Sequence, residues 1–180
     1  LVFLSEDGIY RFDGTPQINK LSDKIQKTID SIDIGQRQFV SSVNWKKYSL
    51  YLLAVSIDGA SNNDIILVWD YKNNSWWIWD NIDVRHFMKD EYVADNEIIY
   101  FGDQNGRIYQ LDYGRNDNGA AISSYYITHR FGRDADNRKM LRYIEQDSTN
   151  KSGSSVTIEP LVNDETTGVS GITGTADFTD

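Results

Sequence analysis

VWDYKNNSWWIWDN (68–81) places Trp69, Trp76, Trp77 and Trp79 within one short stretch, with the polar run DYKNNS between the first tryptophan and the rest. The run has turn chemistry and is flanked by apolar segments, so the stretch reads as two strands joined by a turn. Side chains alternate along a strand. Trp77 and Trp79 therefore share one face, and Trp76 and Ile78 share the other. Aromatics that face both ways suit a sheet packed on both sides. A ligand platform would set exposed aromatics on one face. Core packing between sheets is the favoured reading of the four tryptophans, with a glycan or peptide contact as the alternative.

Two further segments resemble this one. FLSEDGIYRFDG (3–14), YLLAVSIDGASNNDIILVWDYKNN (51–74) and IIYFGDQNGRIYQLDYG (98–114) each run from an apolar strand through a Gly-containing turn to a second strand ending in Asp. These are hairpin patterns. The closing residues Asp13, Asp70 and Asp112 are 57 and 42 residues apart. Repetition at about 40–50 residues is typical of propeller blades. The middle unit divides into four strands, near 38–44, 48–56, 65–71 and 76–80. The third divides into 85–88 or 91–94, then 97–102, 107–112 and 121–129. The first unit is short of strands.

The longer first interval is explained by KLSDKIQKTIDSIDIG (20–35). Leu21, Ile25, Ile29 and Ile32 fall on one helical face, Asp23 and Gln26 can form a capping box, and Gly35 can end the helix. This predicts one helix of about ten residues, inserted at about 21–33 and covering a sheet, with a partner-binding helix as the alternative. From about residue 137 the pattern changes. Strands at 140–145 and 155–162 flank STNKSGSS, and a Gly/Thr-rich tail follows as an arm or frayed end. The expected architecture is all-β, with propeller-like antiparallel blades over 1–136, one inserted α-helix, and a C-terminal β-hairpin and arm over 137–180. Three blades cannot close a ring of about 4–8. The chain also opens inside a strand, without Met or a charged leader. The count fits more chain upstream, assembling copies or a different compact β arrangement, and the ragged start favours a fragment or a processed chain.

Composition narrows function. Net charge is −9, against a general nucleic-acid binder, and there is no polybasic membrane patch. The chain has no cysteine, which excludes disulfides and thiolate metal sites. No apolar run approaches the roughly 18–20 residues of a membrane helix. His86 and His129 are too few for a zinc site. Asp134, Asp136 and Glu145 mimic EF-hand positions, but Lys139 stands where Gly is needed. DGASNND (58–64) is a weak calcium candidate, and DQNG and NDNG are turn sequences. Arg130, Arg133, Arg138, Lys139 and Arg142 form a basic stretch that Asp134 and Asp136 interrupt. G-x-S-x-G, H-E-x-x-H and the P-loop are absent. No catalytic, cofactor or metal residue is expected.

VWDYKNNSW resembles the second half of a kelch blade, with Trp69 seven residues before Trp76. The paired glycines of that repeat are replaced by SIDGASNND. IIYFGDQNGRIYQLDYG is similar to quinoprotein-like propeller repeats. The order DGIYRFDG, LSDKIQKTIDSI, YLLAVSIDGASNNDIILVWDYKNNSWWIWD, YFGDQNGRIYQLD, then LRYIEQDSTNKSGSSVTIEPLVND, resembles propeller-containing structural proteins of tailed bacteriophages over about 3–162. The resemblance implies a non-enzymatic tail or tail-connector component, present in the virion and in the host cytoplasm during assembly. Its partners would be other virion proteins or copies of itself in a symmetric ring, with neither nucleic acid nor membrane. The alternative is a glycan- or cell-surface-binding propeller module.

Overall fold

A computed structural model describes residues 1–90, 97–114, 116, 119–127, 154–158 and 174–178. The chain divides into two compact units, Leu1–Ser123 and Ser124–Asp180. The expected boundary near 136 lies outside the described residues. In the first unit the strands are β1 (Val2–Leu4), β2 (Ile9–Phe12), β3 (Ile18–Lys20), β4 (Ser41–Trp45), β5 (Leu50–Val55), β6 (Ile65–Asp70), β7 (Ser75–Asp80), β8 (His86–Asp90), β9 (Ile98–Gly102) and β10 (Ile108–Gln110). They form three antiparallel meanders, β1-β2-β3, β4-β5-β6-β7 and β8-β9-β10. In the second unit β11 (Ser154–Ile158) pairs antiparallel with β12 (Gly174–Phe178).

The middle sheet decides the packing. LYLLAV and IILVWD are buried at every position of β5 and β6. Continuous apolar strands require cover on both faces. One face carries Leu50, Leu52, Ala54, Ile66 and Val68, which pack with Val84, Phe87, Ile99 and Phe101 of the third sheet and its lead-in. The other carries Tyr51, Leu53, Val55, Ile65, Leu67 and Trp69, which pack with Ile9, Ile29 and Ile32. Val2 and Leu4 complete that second cluster. Each buried aliphatic side chain contributes about 1.5–3 kcal/mol. Exposed ion pairs such as Lys20–Asp7 at 3.9 Å are screened by water and contribute far less. The apolar seams between sheets therefore dominate.

The three sheets follow one facing rule, counted back from Asp13, Asp70 and Asp112. Positions two and four before the Asp face forward, to the next sheet, and positions one and three face backward. Ile66 and Val68 face forward into the cluster shared with the third sheet, and Tyr109 and Leu111 face backward into the same cluster. Ile9 faces forward into the first seam, and Leu67 and Trp69 meet it from behind. The pairing registers Leu4↔Ile9, Ala54↔Ile66 and Gly102↔Ile108 are equivalent. The three hairpins that resemble one another in sequence thus take like shapes and like orientations.

The connection from the first sheet to the second differs from the expected ten-residue helix. Asp23–Ile25 is a 3-10 turn, the α-helix α1 covers only Gln26–Asp30, and a second 3-10 turn covers Ile34–Phe39. Neither Asp23 nor Ser22 caps a helix. The Ser22 hydroxyl instead accepts the Ile9 N–H at 3.0 Å, so it serves the first sheet. Gly35 lies inside the second 3-10 turn, where its N–H donates to the Asp33 carboxylate at 2.7 Å. The apolar stripe faces the sheet as its spacing predicts: Ile29 and Ile32 are buried in the first seam, with Leu21 and Ile25 against it. An Ile32–Ile57 bridge pins the segment to the β5–β6 loop. Gly8 is needed where this region closes in, because a Cβ there would meet the Lys20 side chain at 2.6 Å and Ser22 Oγ at 2.8 Å.

Other boundaries shift by a few residues. The strand expected at 121–129 is not formed over 121–127, and the alternative start at 91–94 lies outside the described residues. So does the strand expected at 140–145. Ser154–Ile158 matches the start of the second expected strand, but its described partner is Gly174–Phe178 in the tail. That partner belongs to the segment expected as an arm or frayed end.

Leu67 and Ile78 are register partners on β6 and β7. Leu67 is fully buried and Ile78 is half exposed on the edge strand. Leu67→Ala should cost about 2–5 kcal/mol, and Ile78→Ala about 1 kcal/mol or less. Urea denaturation of the two variants would check the contrast.

Candidate functional site

The tryptophan stretch folds as the β6–β7 hairpin. Trp69 and Trp76 are register partners and stack at 6.1 Å with 22° between planes. Both indole N–H groups are used: Trp69 Nε1 donates to Asn74 Oδ1 at 3.3 Å, and Trp76 Nε1 to the Leu21 carbonyl at 3.1 Å. The pair thus ties the hairpin to the connection from the first sheet. Trp79 packs into the opposite cluster, with Trp45. Trp77 is 49% exposed. The structure therefore does not gather the four tryptophans on one face. Trp69 and Trp76 serve the first seam, Trp79 serves the second, and Trp77 faces outward beside Val68 on an edge.

Asp70 holds the turn of this hairpin. Its carboxylate accepts the Lys72 N–H at 2.8 Å, the Asn73 N–H at 3.0 Å and Asn73 Nδ2 at 2.6 Å. The Asn73 backbone and side-chain donors hold its pKa below the ordinary carboxylate value. Asp13 caps its own turn in the same way, accepting the Thr15 N–H at 3.2 Å and the Thr15 hydroxyl at 2.7 Å. In DQNG, Asp103 Oδ1 accepts the Asn105 and Arg107 N–H groups at 2.9 and 2.8 Å, with Gly106 at φ +78°. These acidic residues close turns, as their sequences implied.

A concave feature of the first unit lies where the second seam opens, beside the tight β4–β5 turn. A groove of about 220 Å³ is lined by Trp45, Tyr48, Leu50, Trp79, Leu111 and Asp112. A neighbouring depression of about 210 Å³ shares Trp45, Leu111 and Asp112 and adds Lys47 and Glu97. The Trp45 and Tyr48 rings meet edge-on at 4.7 Å. The Tyr48 hydroxyl donates to Asp112 Oδ2. Lys47 lies over the Tyr48 ring at 4.7 Å and pairs with Asp112 at 3.6 Å. Its hydrogen bond to Tyr48, then attraction to Tyr48 and Asp112, raises the Lys47 pKa against a smaller opposing effect of burial. Glu97 accepts the Lys46 and Lys47 N–H groups at 2.7 and 3.2 Å and pairs with Lys89 at 3.5 Å. Trp45 Nε1 is buried without a hydrogen-bond partner among the described residues.

The groove thus offers aromatic walls and the indole N–H of Trp45, and its Asp112 carboxylate, like Glu97 in the neighbouring depression, is engaged with the β4–β5 turn. Sequence reasoning missed Trp45. It is the one tryptophan outside the quoted stretch, set in the polar run SSVNWKKYS. Its spacing to Tyr48 across a tight turn was the available signal. Among the described residues no three His, Cys, Asp or Glu side chains converge as metal ligands. His86 Nδ1 lies 3.4 Å from Ser41 Oγ. That hydroxyl also accepts the Phe87 N–H at 3.0 Å, joining β4 to β8. In the DGASNND loop, Asp64 Oδ1 accepts the Ile57 N–H at 3.2 Å. His129, Asp134, Asp136, Glu145 and the basic stretch from Arg130 to Arg142 lie outside the described residues. Among the described residues no helix is long and apolar enough to cross a membrane.

Trp69→Ala should cost about 3–5 kcal/mol, in the range of buried aromatic truncations. Trp77→Ala, on the exposed side of the edge strand, should cost about 1 kcal/mol or less. Thermal melts of both variants would separate the two roles. Asp70→Ala should lower the melting temperature at neutral pH. Because the folded-state pKa of Asp70 is depressed, its stabilisation is fully present above the unfolded carboxylate value of about 3.9 and fades as pH falls through the lower folded value. Melts at pH 7 and pH 3 should show the gap between wild type and variant narrowing at pH 3. Comparison with family models, curated proteins and solved structures finds no match to the chain.

Proposed function

We propose that the chain is a non-enzymatic structural component of a bacteriophage virion, of the tail or tail connector, built from a run of propeller-like blades. The observation that carries this reading is the facing rule. The middle sheet presents a forward and a backward apolar face, and both seams pack a forward face on a backward face. Such a run is an assembly device, because the same contact extends wherever another sheet is supplied. The edge strand β7 adds a second route. It presents Trp77 and Ile78, both 49% exposed, on SWWIWD, which has no Lys or Pro to block strand addition. Support for the virion setting is the order of sequence elements.

A second reading, binding of a glycan at a cell surface, draws on one feature. The groove walled by Trp45, Tyr48 and Trp79 holds the unpartnered indole N–H of Trp45. Aromatic faces with a few polar groups suit a sugar ring. A glycan array would separate the two readings, with hits that vanish in Trp79→Ala favouring this one.

The structural reading is tested on purified phage particles that encode the chain. Quantitative mass spectrometry should find it in the particle at a fixed copy number. Finding the chain in the infected-cell lysate but not in washed particles would overturn the reading.

A further inference from the structure

Two faces of the first unit have none of that unit's other sheets packed on them among the described residues. The first sheet's backward face carries Phe3 and Tyr10, stacked at 5.9 Å, with Phe12 and Ile18, which are 39% and 55% exposed. The third sheet's forward face carries Met88 and Ile108, 58% and 76% exposed, beside the half-buried Ile98 and Tyr100, with His86, Asp90 and Gln110 on the same face. Large apolar side chains lie exposed on both faces, in a cluster on the first sheet and among polar residues on the third.

The two faces are opposite in kind. By the facing rule, Tyr10 and Phe12 correspond to Leu67 and Trp69, the side of the middle sheet that receives a forward face. Ile108 corresponds to Ile66, and Met88 to Val43, the side that is laid on a backward face. Each open face is thus the type that the other already packs against inside the molecule. One chain holds both halves of one interface. A contact between two forward or two backward faces has no counterpart among the described residues of the unit.

The geometry points to head-to-tail self-association: the forward face of the third sheet of one copy lies on the backward face of the first sheet of another copy. This rests on the structural reading above and names its partner as a second copy of this chain. A heterologous contact closes into a ring when its rotation allows. Two copies of the first unit bring six meanders together, within the range of about 4–8 found in closed sheet rings. The two-copy ring then uses the same contact twice.

The test uses Ile18→Lys on the backward face and Ile108→Lys on the forward face, followed by sedimentation velocity over a concentration series. The wild-type 180-residue chain should sediment as a dimer. Each variant alone should be monomeric, since every contact in its dimer would include one altered face. An equimolar mixture should regain a heterodimer, because the forward face of I18K and the backward face of I108K are intact. Ile34→Lys, at an exposed position on the connecting segment, should dimerise like wild type. If either face variant misfolds by circular dichroism, Phe12→Lys and Met88→Lys probe the same faces. A wild-type chain that stays monomeric throughout would overturn the inference, as would single face variants that dimerise like wild type. A monomeric chain still found in washed particles would sink self-association and leave the structural reading standing. A dimer absent from particles would do the reverse.

Discussion

Burial of β5 and β6 on both faces is the constraint from which the rest of the first unit follows. Two adjacent strands with no polar side chain facing water cannot exist as a one-layer sheet. Each needs an apolar layer on either side, and the chain supplies one before and one after. The first sheet and the connecting segment cover Tyr51, Leu53, Val55, Leu67 and Trp69. The third sheet covers Leu52, Ala54, Ile66 and Val68. The short α1 and its flanking 3-10 turns have little helical stability of their own. They hold because Ile29 and Ile32 fill the first seam.

This constraint also explains where the polar groups went. Ser41 and Asn63, buried beside the seams, are spent on backbone. Ser41 Oγ accepts the Phe87 N–H. Asn63 Nδ2 donates to the Phe39 and Val84 carbonyls at 2.7 and 2.8 Å. Both join elements that a purely apolar seam would let slide, because dispersion contacts are not directional while a hydrogen bond loses strength when misaligned. The seams thus supply most of the energy, and a few buried polar groups set the register between sheets.

Legibility in the sequence tracked how local the determining interaction was. The hairpins were readable because alternation and turn chemistry act over a few residues. FLSEDGIYRFDG, DYKNNS and DQNG all formed the turns their Gly, Asn and Asp residues imply. The alternation of Trp76 against Trp77 and Trp79 was also readable. Which tryptophans are buried was not, because that depends on the partners beyond each face: Trp79 meets the third sheet, while Trp77 meets none. The helix was overestimated for a related reason. The stripe Leu21, Ile25, Ile29 and Ile32 has helical spacing, but 3-10 and α turns present the same stripe to the seam. Ser22, a natural cap by type, was taken by the Ile9 N–H on a distant strand. Trp45 went unnoticed because its burial is decided by Trp79 and Leu111, both far along the chain.

The closing aspartates show how one repeated residue takes two tasks. Asp13 and Asp70 each turn back on the amides that follow and lead into a further strand, β3 and β7. Asp112 holds the equivalent place in the third sheet, but its backbone is left-handed at φ +58°. No fourth strand follows it among the described residues. Its carboxylate instead takes the Tyr48 hydroxyl and Lys47 from the tight turn of the middle sheet. A residue that closes a turn locally in the first two sheets becomes a latch between sheets in the third. The groove at Trp45 and Trp79 opens at this departure from the repeat. It is therefore best understood as the unfinished end of a seam, where the next strand's side chains would otherwise complete the packing.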